Sequence, residues 1–376
     1  MWSLAIKALL ADRAKFLTSL SGVTFSVLLV NVQGALLLGL LQKASMLVDY
    51  GSADIWVGPR HMTNVEMNGF VPQRWISRVR KVPGVERAEP YIVMFSAFQS
   101  PDGRMESVVV LGCERSTLLG NAWTMVEGEA SAIRDPDAVL VDYYDTAKLG
   151  DCKLGDIREI NGRKARVVGM TNGIVSFTTS PYVFTTIDRA RQYVFALPPG
   201  HCSFYLVTAE PGTDIPDLVA RIRREVPDLD VYDKHTYGRM AMHYWLTRTG
   251  IGISFGLAAF LGLLVGLAVV AQTLYGAVNE RLKEFATLKA LGADDGCIAR
   301  FLLAQALGNA LIGSALGIVL SVLVALSPLS TPRAPMVLTW QIAVVSVVLV
   351  TGVCLLAARL PLRRVRYIDP ACVLRG

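Results

Sequence analysis

The stretch "NERLKEFATLKALGADD", from Asn279 to Asp295, is rich in charge and lies between two long apolar segments of the chain. Asn279 can cap the start of a helix here, and Gly292 is a natural stop. Leu282, Phe285 and Leu288 then share one face of that helix. The pattern predicts a short amphipathic helix, residues 279–293, between two membrane-spanning segments. Composition leaves open whether its apolar face lies on lipid headgroups or in a protein groove.

The apolar segments on either side belong to a wider pattern. The chain has 376 residues, of which 52% are hydrophobic and only 18% are charged, against about a quarter in soluble proteins. Windows without Asp, Glu, Lys or Arg cover residues 16–42, 249–279, 301–332 and 334–358. About 20 residues cross a bilayer core of ~30 Å, and one ionised side chain at its centre costs about 2.5–3.5 kcal/mol. The windows predict transmembrane helices at 18–41, 251–275, 302–325 and 338–358.

The segment before the first predicted span, residues 1–17, is compatible with an amphipathic helix. The first apolar window is much longer than the 7–15 residues of a signal-peptide core, so we expect it to be retained as a membrane helix. The fold class expected is therefore a membrane α-helical protein with one span before and three spans after a large intervening segment.

Basic residues predict the orientation of these spans, because Lys and Arg accumulate in cytoplasmic flanks. The loop between the third and fourth spans contains only Arg333, whereas basic residues are frequent in the other short flanks. We expect residues 1–17, the segment 279–293 and the tail 359–376 to be cytoplasmic, and residues 42–247 to be extracytoplasmic. The basic residues of the cytoplasmic flanks are Lys7, Arg13, Lys15, Arg281, Lys283, Lys289, Arg300, Arg359, Arg363, Arg364, Arg366 and Arg375.

The extracytoplasmic segment 42–247 is long enough to be an α+β domain. It carries 23 basic and 25 acidic residues, so the chain's net charge of +6 reflects membrane topology and indicates no nucleic-acid partner. Asn161-Gly162 predicts a hairpin, and Asp214 predicts a helix start. Helix–turn–strand patterns favour one lobe from residues 50–100 with 200–240, and a β-rich insert near 104–190.

The same domain shows no catalytic or metal-binding motif. Neither G-x-S-x-G nor H-E-x-x-H occurs, so we expect no enzymatic activity and no cofactor in this chain. Asp142, at a strand–helix joint, is expected to be a capping residue. Spacing does not decide whether a disulfide forms among Cys113, Cys152 and Cys202.

Small and polar residues mark the predicted membrane helices. Glycines four residues apart let helix backbones approach closely in lipid, either within one chain or across a dimer. Polar amides in the first and third spans are expected to form hydrogen bonds between helices. The glycine pairs are Gly252 and Gly256, Gly262 and Gly266, and Gly313 and Gly317, and the amides are Asn31, Gln33, Gln305 and Asn309.

The charged stretch also carries a family resemblance. "RLKEFATLKALGA", residues 281–293, resembles the signature R-x-x-E-[IF]-[AG]-x-L-[KR]-A-L-G-A of FtsX-type ABC transporter permeases. The C-terminal "LPLRRVRYIDPACVLRG" is similar to the ending of that family. "VPGVERAEP" and "AVLVDYYDTAKLG" resemble its extracytoplasmic domain. Length and helix layout resemble the MacB and DevC exporter permeases, and without a G-x-x-x-x-G-K-[ST] motif the chain is more similar to the DevC arrangement, with a separate ATPase.

The resemblance implies a mechanism and partners. The segment 279–293 would be a coupling helix seated on an ATP-binding subunit, which would itself hold ATP and magnesium. The coupling residues would be Arg281, Leu282, Glu284, Phe285, Leu288, Lys289 and Gly292. Further partners implied are a second copy of the permease, a periplasmic adaptor, an outer-membrane channel and membrane lipid.

The expected location is the inner membrane of a bacterial cell, and the leading expectation is export of a lipid, glycolipid or amphipathic compound by mechanotransmission. Lipoprotein release, control of a periplasmic cell-wall hydrolase, and a receptor or scaffold without an ATPase are the alternatives.

Overall fold

The computed structural model describes residues 13–280, 287, 294–359 and 361. The predictions for residues 1–12, for nearly all of the segment 281–293 and for the tail 362–376 lie outside these residues. In chain order the helices are α1 (Arg13–Asp49), α2 (Ile76–Arg80), α3 (Ile187–Tyr193), α4 (Ile215–Glu225), α5 (Lys234–Arg248), α6 (Ile251–Glu280), α7 (Asp295–Ala325) and α8 (Trp340–Ala357).

Four of these helices are long and apolar enough to cross a membrane. They overlap the predicted spans, and α1 and α6 continue beyond the ends expected at residues 41 and 275. α1 runs on because Leu47 and Val48 are buried in the core of the domain that follows. α6 runs on because Val278 is buried in a cluster with Ile298 and Leu302 of α7. The apolar ranges are Phe16–Asp49, Ile251–Glu280, Ile298–Ala325 and Trp340–Ala357.

The described chain divides into two compact units, with boundaries after Gly39 and after Ile251. The first is the membrane unit, built from most of α1 with α6, α7 and α8. The second, the outer domain, is mixed α and β. Its strands are β1 (Ile55–Pro59), β2 (Val71–Pro72), β3 (Val85–Gln99), β4 (Met105–Cys113), β5 (Met125–Gly128), β6 (Ala138–Asp142), β7 (Ile157–Ile160), β8 (Arg163–Thr171), β9 (Tyr182–Thr186), β10 (His201–Cys202), β11 (Phe204–Ala209) and β12 (Leu229–Asp233).

The long strand β3 joins the two lobes of the outer domain. Its first half pairs with β11 up to Tyr91, in the order β12-β1-β11-β3. Its second half, from Ile92, pairs with β4 and begins a ring of strands in the order β3-β4-β9-β6-β8-β7. β7 closes the ring by pairing with β3 at Phe98 and Ile160. The lobes correspond to the division expected from the sequence, with β3 shared between them.

Successive strand residues point to opposite faces of the open sheet, and each face has its own helices. Val57 belongs to the same buried cluster as Val79 of α2 and Leu218 of α4. Trp56, the residue before it, belongs to the cluster on the other face with Tyr237 of α5. α2 and α4 therefore cover one face of the sheet, and α5 covers the other.

Two local predictions are confirmed. β7 and β8 form a hairpin in which Asn161 and Gly162 both have positive φ, 52° and 67°, as a tight two-residue turn requires. α4 begins after Asp214, whose carboxylate accepts a hydrogen bond from Asp217 N at 3.3 Å. In both cases the turn or cap chemistry is local, so a short stretch of sequence determines it.

Candidate functional site

α1 packs against α6 at distances that only glycine permits. A Cβ on Gly266 would overlap Ser26 Oγ, and one on Gly262 would overlap the side chain of Leu29. Ser26 Oγ is fully buried and lies within hydrogen-bond distance of two carbonyl oxygens, that of Gly22 in its own helix at 2.9 Å and that of Gly262 in α6 at 3.1 Å. The glycines thus bring the α6 backbone close enough for a serine of α1 to reach it.

α1 packs against α7 in the same way. A Cβ on Gly313 would lie 2.5 Å from Val23 Cγ1, and one on Gly317 would lie 2.7 Å from Val27 Cβ. Thr24 Oγ1 donates to the Gly313 carbonyl oxygen at 3.3 Å. Val23 and Val27 are fully buried. α1 therefore has small-residue contacts with two different helices of its own chain.

Two of the four polar amides form hydrogen bonds between these helices. Asn31 Nδ2 donates to Ser321 Oγ of α7 at 3.2 Å, and Asn309 Nδ2 donates to Ser19 Oγ of α1 at 3.0 Å. Bonds of this kind contribute about 0.6–2 kcal/mol in a membrane. They fix the position of α1 along α7 at two points on the helix pair.

The remaining predicted packing residues lie elsewhere. Gly256 is exposed, and a Cβ there would meet nothing within 4 Å, while Gly252 is half-buried. Gln33 is half-buried and Gln305 is buried. Gly252 and Gly256 are thus the pair left for a contact outside this chain, which stays a prediction.

The coupling residues named from the sequence lie outside the described residues. Glu280 is the last residue of α6, and Thr287, within the predicted coupling helix, is helical and exposed. The described chain resumes at Asp294, and α7 begins at the next residue, Asp295. The roles of Arg281, Leu282, Glu284, Phe285, Leu288, Lys289 and Gly292 stay predictions.

The outer domain contains a contact between the two segments that lead into membrane helices. The end of α1 meets α5 at Gly238, where a Cβ would lie 2.8 Å from Asp49 Oδ1 and 3.4 Å from Ser45 Cβ. α5 ends at Arg248, and α6 begins at Ile251. The end of one membrane helix and the helix that precedes another are therefore side by side in the outer domain.

A buried carboxylate ties two loops together next to α5. Glu66, 8% exposed, accepts hydrogen bonds from Ser176 Oγ and Thr178 Oγ1 at 2.7 Å and from Tyr182 Oη at 2.5 Å. Burial, with the Glu66 carboxylate beside it, raises the pKa of Tyr182 well above its ordinary value. The hydroxyls are therefore donors, and the carboxylate is their shared acceptor.

Both loops also touch α5. Tyr237 Oη donates to the Asn64 carbonyl oxygen at 2.7 Å, and the rings of Phe177 and Trp245 are 4.1 Å apart. We call residues 60–68, residues 172–182 and α5 the relay cluster. No motif marks Glu66 or Gly238 in the sequence, because the partners of each are far away along the chain.

Among the described residues, the buried carboxylate of Asp142 has a structural role. Asp142, fully buried, accepts hydrogen bonds from Tyr144 N, Thr171 Oγ1 and Ile174 N, which confirms its capping role. No cluster of His, Cys, Asp or Glu able to hold a metal ion occurs in that part of the chain.

The outer-domain cysteines Cys113, Cys152 and Cys202 are free, buried thiols. Burial raises the pKa of Cys113 and of Cys202 to about 12, and that of Cys152 to about 11. Because the thiolate is the reactive form, these thiols are inert in the folded domain.

Comparison with known families accounts for both units. The model "MacB-like periplasmic core domain" matches residues 16–225, and "FtsX-like permease C-terminal" matches residues 256–370. The first match alone covers more than half of the chain. The chain belongs to the FtsX- and MacB-type ABC transporter permeases. With its four apolar helices, the permease is a multi-pass membrane protein.

Curated relatives carry the same description. An uncharacterized ABC transporter permease of Mycobacterium tuberculosis is 26% identical over 59% of this permease and 58% of its own length. An uncharacterized ABC transporter permease of Methanocaldococcus jannaschii is 27% identical over 56% of this permease and 54% of its own length. The permease thus spans a little over half the length of these relatives.

Solved structures of outer domains show similarity to the permease as well. The periplasmic region of MacB from Actinobacillus actinomycetemcomitans matches at 10% identity, a TM-score of 0.37 and coverage of 50% of this chain and 92% of that one. The extracellular domain of the ABC-type transporter YknZ from Gram-positive bacteria matches at 12% identity, a TM-score of 0.37 and coverage of 48% and 98%.

Proposed function

We propose that this permease couples ATP hydrolysis on a separate ATPase subunit to movement of its outer domain, and that this movement drives export of a lipid, glycolipid or amphipathic compound. Family membership supports an ATPase partner. The observation that carries the mechanical part is the contact of the end of α1 with α5 at Gly238.

Close packing in the membrane unit supports the proposal that its helices move together and pass their movement on. α1 touches α6 and α7 at glycines, so a tilt of α6 or α7 displaces α1 as well. α1 is one uninterrupted helix whose last residues are buried in the outer-domain core. A displacement of the membrane helices therefore reaches the outer domain along α1, and through α5 from α6.

The apolar windows support transport that bypasses the helix bundle. They contain no Asp, Glu, Lys or Arg, whereas ion-driven transporters place such residues in the membrane. We therefore propose that ATP hydrolysis supplies the energy for transport. The outer domain and its partners, instead of the membrane helices, would handle the cargo. A second copy of the permease, a periplasmic adaptor and an outer-membrane channel complete this proposal, with both termini in the cytoplasm.

The coupling helix is the place to test it. Leu288→Asp would put a carboxylate into the groove of the ATPase, and Glu284→Arg would reverse a charge that sets register. Both variants should abolish stimulation of ATPase activity by the permease and reduce co-purification of the ATPase at least tenfold. Thr287→Asp is the matched control, since Thr287 is one position away from Leu288 and is not one of the proposed coupling residues.

The proteins that co-purify with the permease distinguish export from lipoprotein release and from signalling. The ATPase together with an adaptor that has a long coiled coil supports export. The ATPase with a lipoprotein chaperone or a cell-wall hydrolase would replace export by lipoprotein release or by signalling. Full co-purification and stimulation by the Leu288→Asp variant would refute the coupling role of residues 279–293.

A further inference from the structure

A basic cleft lies on the α2/α4 face of the outer domain, away from the relay cluster. It has a volume of about 350 Å³ and opens between the C-terminal end of α2 and the exposed side of α4. Its charged lining residues are Arg78, Lys81, Arg221, Arg224 and Glu225. Four cations therefore face one carboxylate, in a domain segment whose total charge is slightly negative.

One of these cations is already engaged within the domain. Arg221 pairs with Asp217 at 3.2 Å and donates to the Pro83 carbonyl oxygen. Arg224 Nε bonds only a backbone carbonyl oxygen, that of Ala220, at 3.4 Å. The cleft thus keeps cationic charge that Arg221 and Asp217 do not neutralise.

Arg78, Lys81 and Arg224 form no ion pair with any residue that the structure describes. All three are exposed. Elsewhere in the domain exposed arginines do find carboxylates, as Arg60 does with Asp228 at 3.1 Å and Arg80 with Glu89 at 2.9 Å. Three cations without a carboxylate partner among the described residues therefore line this one cleft.

The cleft is held in a fixed shape. Val79 of α2 and Leu218 and Ile222 of α4 are fully buried in one cluster, which fixes both helices on the sheet. The Arg78 guanidinium lies over the Trp75 ring, with Cζ 5.6 Å from its centroid. Basic residues in the last turn of a helix interact favourably with the helix dipole, which explains why they occur there. The dipole does not provide them with a carboxylate partner.

The cleft and the segments that continue into membrane helices lie on different faces of the outer-domain sheet. α2 and α4 pack on the Val57 face of the sheet, whereas Leu47 of α1 and Tyr237 of α5 pack on the Trp56 face. The two segments that continue into membrane helices are therefore on the face opposite the cleft. Guanidinium groups bind carboxylates with two parallel hydrogen bonds, which suits an acidic polypeptide.

We propose that the cleft between α2 and α4 is a docking site for an acidic segment of a partner protein outside the membrane, with Arg78, Lys81 and Arg224 binding its carboxylates. This proposal rests on the proposed function, in which the outer domain passes movement to a soluble component. It names the chemistry by which that component is recognised.

The test uses the full chain in zwitterionic lipid nanodiscs and a fluorescent hexaglutamate peptide as the probe. The triple variant Arg78→Glu, Lys81→Glu, Arg224→Glu is compared with a control triple, Arg115→Glu, Arg163→Glu, Lys164→Glu. Both triples change the net charge by the same amount, and the control residues are exposed elsewhere in the domain. Binding is measured at physiological salt, where charges more than about 8 Å apart are screened.

We expect saturable peptide binding that weakens at least tenfold in the cleft triple and less than twofold in the control triple, with equal melting temperatures. Equal weakening in both triples, or no saturable binding to the wild-type chain, would overturn the proposal. Binding of phosphatidylglycerol vesicles that depends on the cleft, without peptide binding, would overturn it in favour of a lipid.

The assay contains no ATPase, so its outcome is independent of the coupling test. A Leu288→Asp variant that binds hexaglutamate normally but fails to stimulate the ATPase leaves the cleft proposal standing. A chain that couples to its ATPase but does not bind the peptide refutes the cleft proposal alone.

Discussion

Replacing Glu66 by glutamine should loosen the relay cluster without creating a cavity, because the two side chains have nearly the same size. Glu66 accepts three hydroxyl hydrogen bonds, from Ser176, Thr178 and Tyr182. A hydrogen bond to a charged group contributes about 1 kcal/mol more than a neutral one. Three such bonds would lose about 3 kcal/mol, and since the amide can donate to one hydroxyl, we expect a net loss of about 2 kcal/mol.

Hydrogen–deuterium exchange of the full chain in mild detergent measures this loss locally. A decrease of about 2 kcal/mol in the free energy of local opening corresponds to roughly 30-fold faster exchange, since about 1.4 kcal/mol is tenfold. The increase should appear in peptides covering 60–68 and 172–186. Glu86→Gln, an exposed site in the same domain, should change exchange there less than twofold.

Two results would refute this reasoning. Unchanged exchange in residues 172–186 of the Glu66→Gln variant would mean that the carboxylate does not hold the loops together. Equally faster exchange in α4, on the opposite face of the sheet, would mean that the whole domain is destabilised instead of the relay cluster.

Three further predictions test the packing, the thiols and one helix cap. Gly266→Leu should lower the melting temperature of the full chain, because overpacking costs about 1–3 kcal/mol, whereas Gly276→Leu, at an open site of the same helix, should not. Cys113, whose pKa burial raises to about 12, should resist iodoacetamide at pH 8 in mass spectrometry, unlike a cysteine placed at the exposed Met105. Burial raises the pKa of Asp233, but its hydrogen bonds from the start of α5 lower it more, so the pKa lies below its ordinary value. A depressed carboxyl pKa stabilises the fold above the unfolded pKa and stops doing so as pH falls through the folded pKa. The melting-temperature difference between wild type and an Asp233→Asn variant should therefore be largest near pH 6 and shrink as the pH falls below the unfolded carboxyl pKa of about 4, and a difference that does not shrink would contradict this.

The sequence predicts those parts of the fold that depend on composition or on short-range chemistry. Charge-free windows locate the apolar helices because the energetic cost of a charge in lipid applies to every residue of a span. Asn161-Gly162 and Asp214 mark a turn and a helix start, because a turn conformation and a cap involve only neighbouring residues. The resemblance of residues 281–293 gave the family, which the family models confirm.

The relay cluster and the basic cleft could not be predicted in this way. Glu66 has a carboxylate in a loop without any pattern, and its partners lie more than a hundred residues further along the chain. Arg78 and Arg224 become neighbours only because α2 and α4 pack on the same face of the sheet. The closed ring of strands likewise depends on β7 returning to β3, a pairing that no local signal encodes.

The burial of α1 among later helices has a consequence for how the protein is made. Ser26 and Asn31 of α1 find hydrogen-bond partners on α6 and α7, which the ribosome synthesises more than two hundred residues later. Until then the Asn31 amide has no partner on α7, whereas the Ser26 hydroxyl can donate to the Gly22 carbonyl oxygen of its own helix. Packing of α1 against α7 therefore has to wait until α7 has been synthesised, and a chain that stops before α7 leaves the Asn31 amide without Ser321.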